Sequence, residues 1–150
     1  MVTVQSESIT IDFTEKIERI KQLIGNKMLK DIQDNFDKEQ SPEGNKWKAL
    51  TYRTGKILNR TGAFRNSIRM QIDGDTIKVG TNHTVNGVLI PAVHQFGATI
   101  HPKTKPYLVF RIGNKLVRAK QVTIPARKWL GMSQSMLNDY IKIAENELTK

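Results

Sequence analysis

Between Phe13 and Phe36 the apolar residues recur at steps of three and four, at Phe13, Ile17, Ile20, Ile24, Met28 or Leu29, Ile32 and Phe36. That period puts them on one stripe of an α-helix. Ser41-Pro42-Glu43-Gly44-Asn45 ends the run, because proline disfavours helical geometry in the residue before it. The spacing therefore predicts a helix over 14–39, N-capped by Thr14 and about 40 Å long. A rod of that length crosses a whole small domain, so the rest of the chain has to pack along it. Gly25 inside the run costs about 1 kcal/mol relative to alanine, which leaves open a kink or a division into two helices at Gly25-Asn26.

Other periods follow. Ile9 to Phe13 alternates as a short strand does. Ile68, Met70 and Ile72, the turn Asp73-Gly74-Asp75-Thr76, and Ile77 with Val79 read as a β-hairpin. Tyr107–Ile112, Gly113-Asn114 and Lys115–Ile124 read as a second, with glycine placed for a type II′ turn. Between them Pro91 to Gly97 has proline at the first helical position and glycine just past the last, the punctuation of a short helix. Ser133 can cap a final helix with its stripe at Met136 or Leu137, Tyr140 or Ile141, Ala144 and Leu148. The order is helix, hairpin, short helix, hairpin, helix. It points to an α+β fold, an antiparallel sheet built from two hairpins and packed against a long N-terminal helix and a C-terminal helix. With 150 residues the chain is expected to be one domain over 1–150, with a flexible arm at 1–12. Trp47, just after the turn cluster, is read as a lid on the first helix, with base stacking as the alternative.

Charge is unevenly placed. Residues 1–50 carry eight bases and nine acids, 51–120 twelve bases and two acids, and 121–150 four and three, so the middle holds the whole surplus of +10. A concentrated positive field attracts nucleic-acid phosphates or an acidic partner surface, and equally serves solubility. Cysteine is absent, which excludes disulfides, thiolate metal sites and a cysteine nucleophile, and suits a reducing compartment. The first ten residues lack the apolar core of a secretory signal, and no stretch approaches a membrane span.

Little points to catalysis. His83, His94 and His101 have no metal-ligand spacing, and no acid occurs between Asp75 and Asp139 to orient them. His94 beside Gln95 is read as a structural residue rather than a base or ligand. The aspartates of the first helix look like a solvated face, and no phosphate-binding loop or nucleophile elbow is present. No catalytic residue, metal site or cofactor is expected.

Several segments taken in order resemble one family. Pro42-Glu43-Gly44-Asn45-Lys46-Trp47-Lys48-Ala49-Leu50 is followed by Ile57-Leu58-Asn59-Arg60-Thr61-Gly62-Ala63-Phe64-Arg65-Asn66-Ser67-Ile68 and by Val79-Gly80-Thr81. Then come Ala92-Val93-His94-Gln95-Phe96-Gly97 and Ile124-Pro125-Ala126-Arg127-Lys128-Trp129-Leu130-Gly131-Met132-Ser133. Over about residues 36–133 this succession resembles the virion morphogenesis or tail-completion proteins of Mu-like phages. Pro91, Phe64 and Trp129 depart mildly from the family pattern. Each segment alone is weak, and their order and separation carry the likeness.

The resemblance implies a non-enzymatic bacteriophage or prophage structural protein, made in the host cytoplasm and placed in the virion at the tail end or head–tail interface. It would act in tail completion or head–tail joining, as a homo-oligomeric ring around the DNA passage that contacts other tail or head-connector proteins and no membrane. Arg53, Lys56, Arg60, Arg65, Arg69, Lys78, Lys103, Lys105, Arg111, Lys115, Arg118 and Lys120 are the residues expected to face DNA or an acidic partner. Trp47, Gly62, Ser67, His94, Gln95, Gly97, Pro125, Arg127 and Gly131 are expected to hold the fold or to make intersubunit contacts. Gly62, Gly80, Gly97 and Gly131 sit at element ends, where positive φ or close backbone approach is expected. Arg127 is placed to clamp carbonyls or a carboxylate. The competing reading is a stand-alone basic nucleic-acid-binding module.

Overall fold

The computed structural model describes residues 2–5, 8–51, 53–112 and 114–150. In chain order it has strands β1 (Val2–Gln5) and β2 (Ser8–Ile11), helix α1 (Thr14–Lys38), helix α2 (Ala63–Ser67), strands β3 (Arg69–Asp73), β4 (Thr76–Gly80), β5 (Thr84–Val85) and β6 (Val88–Leu89), helix α3 (Ile90–Phe96), strands β7 (Ala98–Ile100), β8 (Leu108–Ile112), β9 (Lys115–Ala119) and β10 (Val122–Ile124), and helix α4 (Gln134–Leu148). The class is α+β, with two long terminal helices and antiparallel hairpins between them.

Helix α1 is continuous through Gly25, so the division into two helices left open at Gly25-Asn26 does not occur. A Cβ at Gly25 would lie 2.8 Å from the Met70 sulfur, so the glycine is the notch through which β3 lies against the helix. Nor is Thr14 the cap residue. Phe13 occupies that position, and the Asp12 carboxylate accepts from the Thr14 backbone N–H at 2.9 Å and its hydroxyl at 2.6 Å. The other end closes on Glu39, whose left-handed φ of 56° lets its N–H reach Phe36 and lets the Gln40 N–H reach Asn35. That is a Schellman closure without its usual glycine. Glu39 compensates by tying down the next segment, accepting from the Ile57 N–H at 3.0 Å.

Phe36, 0% exposed, is the centre of the core. Trp47, Phe64 and Trp129 meet its ring edge-on at 5.4, 5.1 and 6.3 Å, and Ile32, Ile57, Leu58 and Ile68 close the cluster. Edge-to-face contacts of this kind add about 0.5–1.5 kcal/mol each beyond burial. Trp47 is thus a buried lid on α1, which leaves its ring unavailable for base stacking. Helix α4 starts at Ser133, whose hydroxyl accepts from the Met136 N–H at 3.2 Å. It runs antiparallel to α1, with Tyr140 donating to Asp31 at 2.9 Å and Arg19 meeting Glu147 at 3.0 Å.

Among the described residues the strands form five two-stranded antiparallel ladders rather than one continuous sheet. β3 pairs β4 and β8 pairs β9, the two hairpins legible in the sequence. The second is shorter than its hydrophobic pattern suggests. β9 ends at Ala119, and β10 leaves the hairpin to pair with β7, Ile124 opposite Ala98. A third, minimal hairpin joins β5 to β6 around Asn86 and Gly87, both with positive φ as a type I′ turn requires. The turn geometry expected of Gly113-Asn114 rests on Gly113, outside the described residues.

Candidate functional site

The residues named from the motifs converge on one joint, where α3, the segment 124–131 and the segment 47–50 meet beside the C-terminal half of α1. Gln95 is its hub. Its side-chain oxygen accepts from the Trp129 and Leu130 N–H groups, each at 3.0 Å, and its amide nitrogen donates to the Leu130 carbonyl at 2.9 Å. One amide side chain thereby completes the backbone bonding of an irregular segment that no ladder satisfies. Trp129 donates from its indole to the Pro91 carbonyl at 2.9 Å, and Trp47 does the same to Lys128 at 2.8 Å.

Arg127, buried, donates to the Lys48 and Ala49 carbonyls at 2.8 and 3.1 Å, and its own N–H reaches the His94 carbonyl at 2.7 Å. Of the two targets expected for its planar fork, it takes carbonyls. Gly97, at φ 77°, leaves α3 so close to the strand end before Arg127 that a Cβ would stand 2.9 Å from the Ile124 carbonyl oxygen and 3.0 Å from the Ala126 nitrogen. Pro125 lies in that same strand-to-loop segment.

Gly131 approaches Lys128 and Pro42, whereas Gly80 has an ordinary φ and open space around it, so neither expected reason for a glycine applies there. Gly62 precedes α2 at φ 80°, and Ser67 bridges the Phe64 carbonyl and the Thr81 hydroxyl at 2.6 and 2.7 Å. No sequence pattern signals that Glu39 shares in this joint, since only the folded chain brings it to Ile57.

His94 stacks on Phe64, ring centroids 6.0 Å apart, and its Nδ1 is buried without a hydrogen-bond partner among the described residues. Burial first, then the charges of Arg127 and Arg53, push its imidazole down to about 4. At neutral pH it is an uncharged ring. It borders a cleft of about 210 Å³ with Leu58, Arg53, Arg127 and Pro125 among its walls. Among the described residues that line the cleft there is no carboxylate to pair with His94 in proton transfer. Among the described residues no group of three or more His, Asp or Glu is placed to hold a metal ion, and no helix is long and apolar enough to cross a membrane.

The twelve cations of the middle stretch divide. Arg53 donates to the Thr54 and Lys56 carbonyls, Lys56 pairs with Glu39 at 3.4 Å, and Arg65 pairs with Asp37 at 3.2 Å. Arg69 bonds the Asn66 and Ile68 carbonyls, and Lys78 meets Asp73 at 3.6 Å. Arg60, Lys103, Lys105, Arg111, Lys115, Arg118 and Lys120 are exposed and their side chains make no hydrogen bond or salt bridge with a described residue. The fold does not bring all twelve into one patch of free charge.

The model of the phage virion morphogenesis family matches residues 6–149, nearly the whole chain. The chain belongs to that family. No curated protein and no solved structure matches it. Membership in the phage virion morphogenesis family gives the protein a structural role in virion assembly and associates it with the virion. The joint around Gln95 and Arg127 fits such a role, since the motif residues spend their polar groups on holding backbone segments together.

Proposed function

We propose that the protein is a non-enzymatic subunit acting in tail completion or head–tail joining, assembled as an oligomeric ring around the DNA passage at the tail end or the head–tail interface. One observation carries the non-enzymatic part. Gln95, Arg127, Trp47 and Trp129 direct their side-chain donors and acceptors at the chain's own backbone, so these motif residues are spent on holding the fold rather than offered to a substrate. Self-association and docking draw support from the surface. Phe96 is 78% exposed, and Val85, Val88 and Leu89 on the small hairpin nearby in sequence are also exposed, the kind of apolar surface that assembly covers.

The second reading, a stand-alone nucleic-acid module, is favoured by the unpaired cations of 101–120 and predicts tight binding by a small species. Disrupting the gene in a phage that carries it separates the two. Electron microscopy of the lysate should show filled heads and detached tails, with intact virions restored by the gene in trans. Normal virions from the disrupted phage would contradict the assembly role.

A further inference from the structure

The cations that the fold leaves uncompensated concentrate on one structural feature. Lys103 and Lys105 lie in the proline-flanked loop before β8, Arg111 on β8, Lys115 and Arg118 on β9, and Lys120 directly after it. All six are exposed, and none has a salt bridge with a described residue. Elsewhere Lys21, Lys27, Lys30, Lys56, Arg65, Lys78, Lys128 and Lys150 each meet a carboxylate within 4.0 Å, and no separate stretch of twenty residues gathers six cations that meet none among the described residues. The reason is in the sequence: no acid occurs from residue 76 to residue 138, so the loop and hairpin have no counter-ion of their own.

Register sharpens the picture. Val109 stands opposite Arg118 and Arg111 opposite Leu116, so directly paired residues put these four side chains on one face of the ribbon. Lys120 follows directly after the end of β9, and Lys115, opposite Ile112, falls on the other face at the tip of the hairpin. Val109 and Leu116 are 54% and 52% exposed, so that face is open. Among the described residues β8 and β9 pair only with each other. The result is a two-stranded cationic ribbon, an element of a width that a groove of duplex DNA admits.

We propose that the β8–β9 ribbon, with the loop 101–106, is the surface through which this protein contacts the phosphate backbone of duplex DNA. The proposal deepens the reading of the protein as a ring around the DNA passage and rests on it for biological context. The phosphate chemistry itself requires only the single chain. A polyanion supplies at each phosphate the counter-charge that the fold withholds, and releases condensed counter-ions in doing so. Arg53, Lys56, Arg65, Arg69 and Lys78, already engaged within the fold, have no part in it.

The test is fluorescence anisotropy of a labelled 20-base-pair duplex titrated with the full chain at 50 and 200 mM salt. The ribbon variant R111Q/K115Q/R118Q/K120Q is compared with K30Q/K48Q/K78Q/K142Q, which removes the same charge elsewhere; K103Q/K105Q is a milder variant of the adjoining loop. The ribbon variant should weaken binding at 50 mM salt at least tenfold and flatten the salt dependence by about 0.9 in log–log slope for each phosphate it no longer neutralises. The charge-matched variant should weaken binding by no more than about threefold, with circular dichroism unchanged in all. Equal weakening in the two quadruple variants would overturn the proposal by showing that net charge alone drives binding. So would displacement of the duplex by poly-glutamate at equal charge concentration, which would make an acidic protein surface the occupant. Absence of any wild-type binding at 50 mM salt would overturn it as well. The oligomeric state of the same samples, read by mass photometry, reports on the ring separately, so either reading can fail alone.

Discussion

His94 shows how a single residue can be conspicuous in a sequence for reasons unrelated to chemistry. Its ring lies on Phe64 and its charge is suppressed by burial and by two neighbouring arginines. In the unfolded chain a histidine titrates near 6.5, whereas in the fold His94 titrates at about 4, so between those values the unfolded state binds a proton that the native state rejects. A lowered histidine therefore contributes stability that is fully present above about pH 6.5 and is lost as pH falls towards 4. Glu39 and Glu43 titrate in another window. They are held below the usual carboxylate range, Glu39 first by its bond from the Ile57 N–H and Glu43 first by Lys128, and their contributions disappear only below about 4.5. Urea unfolding at pH 7 and pH 5 should show a loss on the order of 1 kcal/mol in the wild type, after allowing for solvent screening of the part-exposed ring. H94Q should remove most of that difference. An undiminished difference in H94Q would place the titrating group elsewhere.

At the scale of elements, what holds the motif segments together is a seam between β7 and β10 that Gly97 makes possible. Its φ of 77° with ψ of 168° is a region open essentially to glycine, and a side chain there would also press on the backbone at Ile124 and Ala126. G97A should cost about 2–4 kcal/mol in urea unfolding, while G80A, at an ordinary φ with free space, should stay within about 0.5 kcal/mol. Equal costs would show that the seam does not depend on that close approach. These elements also mark where the sequence is readable. α1, α4 and the β3–β4 hairpin carry enough repeats of a 3.6- or 2-residue period to declare themselves, and Pro91 with Gly97 punctuates α3. β7 and β10 have three residues each, too few for a period, and their partnership spans more than twenty residues. The run Lys115–Ile124 alternates well enough to pass for one strand, yet tertiary pairing divides it after Ala119. The three hydrogen bonds that join Gln95 to Trp129 and Leu130 are equally hidden, because no local pattern records an interaction over some 35 residues.

On the scale of the whole molecule, charge and packing are segregated. The body formed by α1, α4 and the aromatic cluster pairs most of its carboxylates with its own lysines and arginines, and six of the ten surplus positive charges lie on the loop and ribbon of 101–120. Counting charges along the chain localises the surplus to the middle stretch. Only the fold separates cations already engaged from those still free, since Asp37 and Glu39 reach forward from α1 to Arg65 and Lys56. A body that spends its signature residues on its own backbone, and a surface that offers free cations and exposed apolar groups, together support the proposal of a subunit that sits among others. The most direct test of that claim is quantitative mass spectrometry of purified virions from a phage encoding this chain. The expected result is a fixed copy number above one per particle, retained through density-gradient purification. Particles that are complete and infectious without the protein would contradict it.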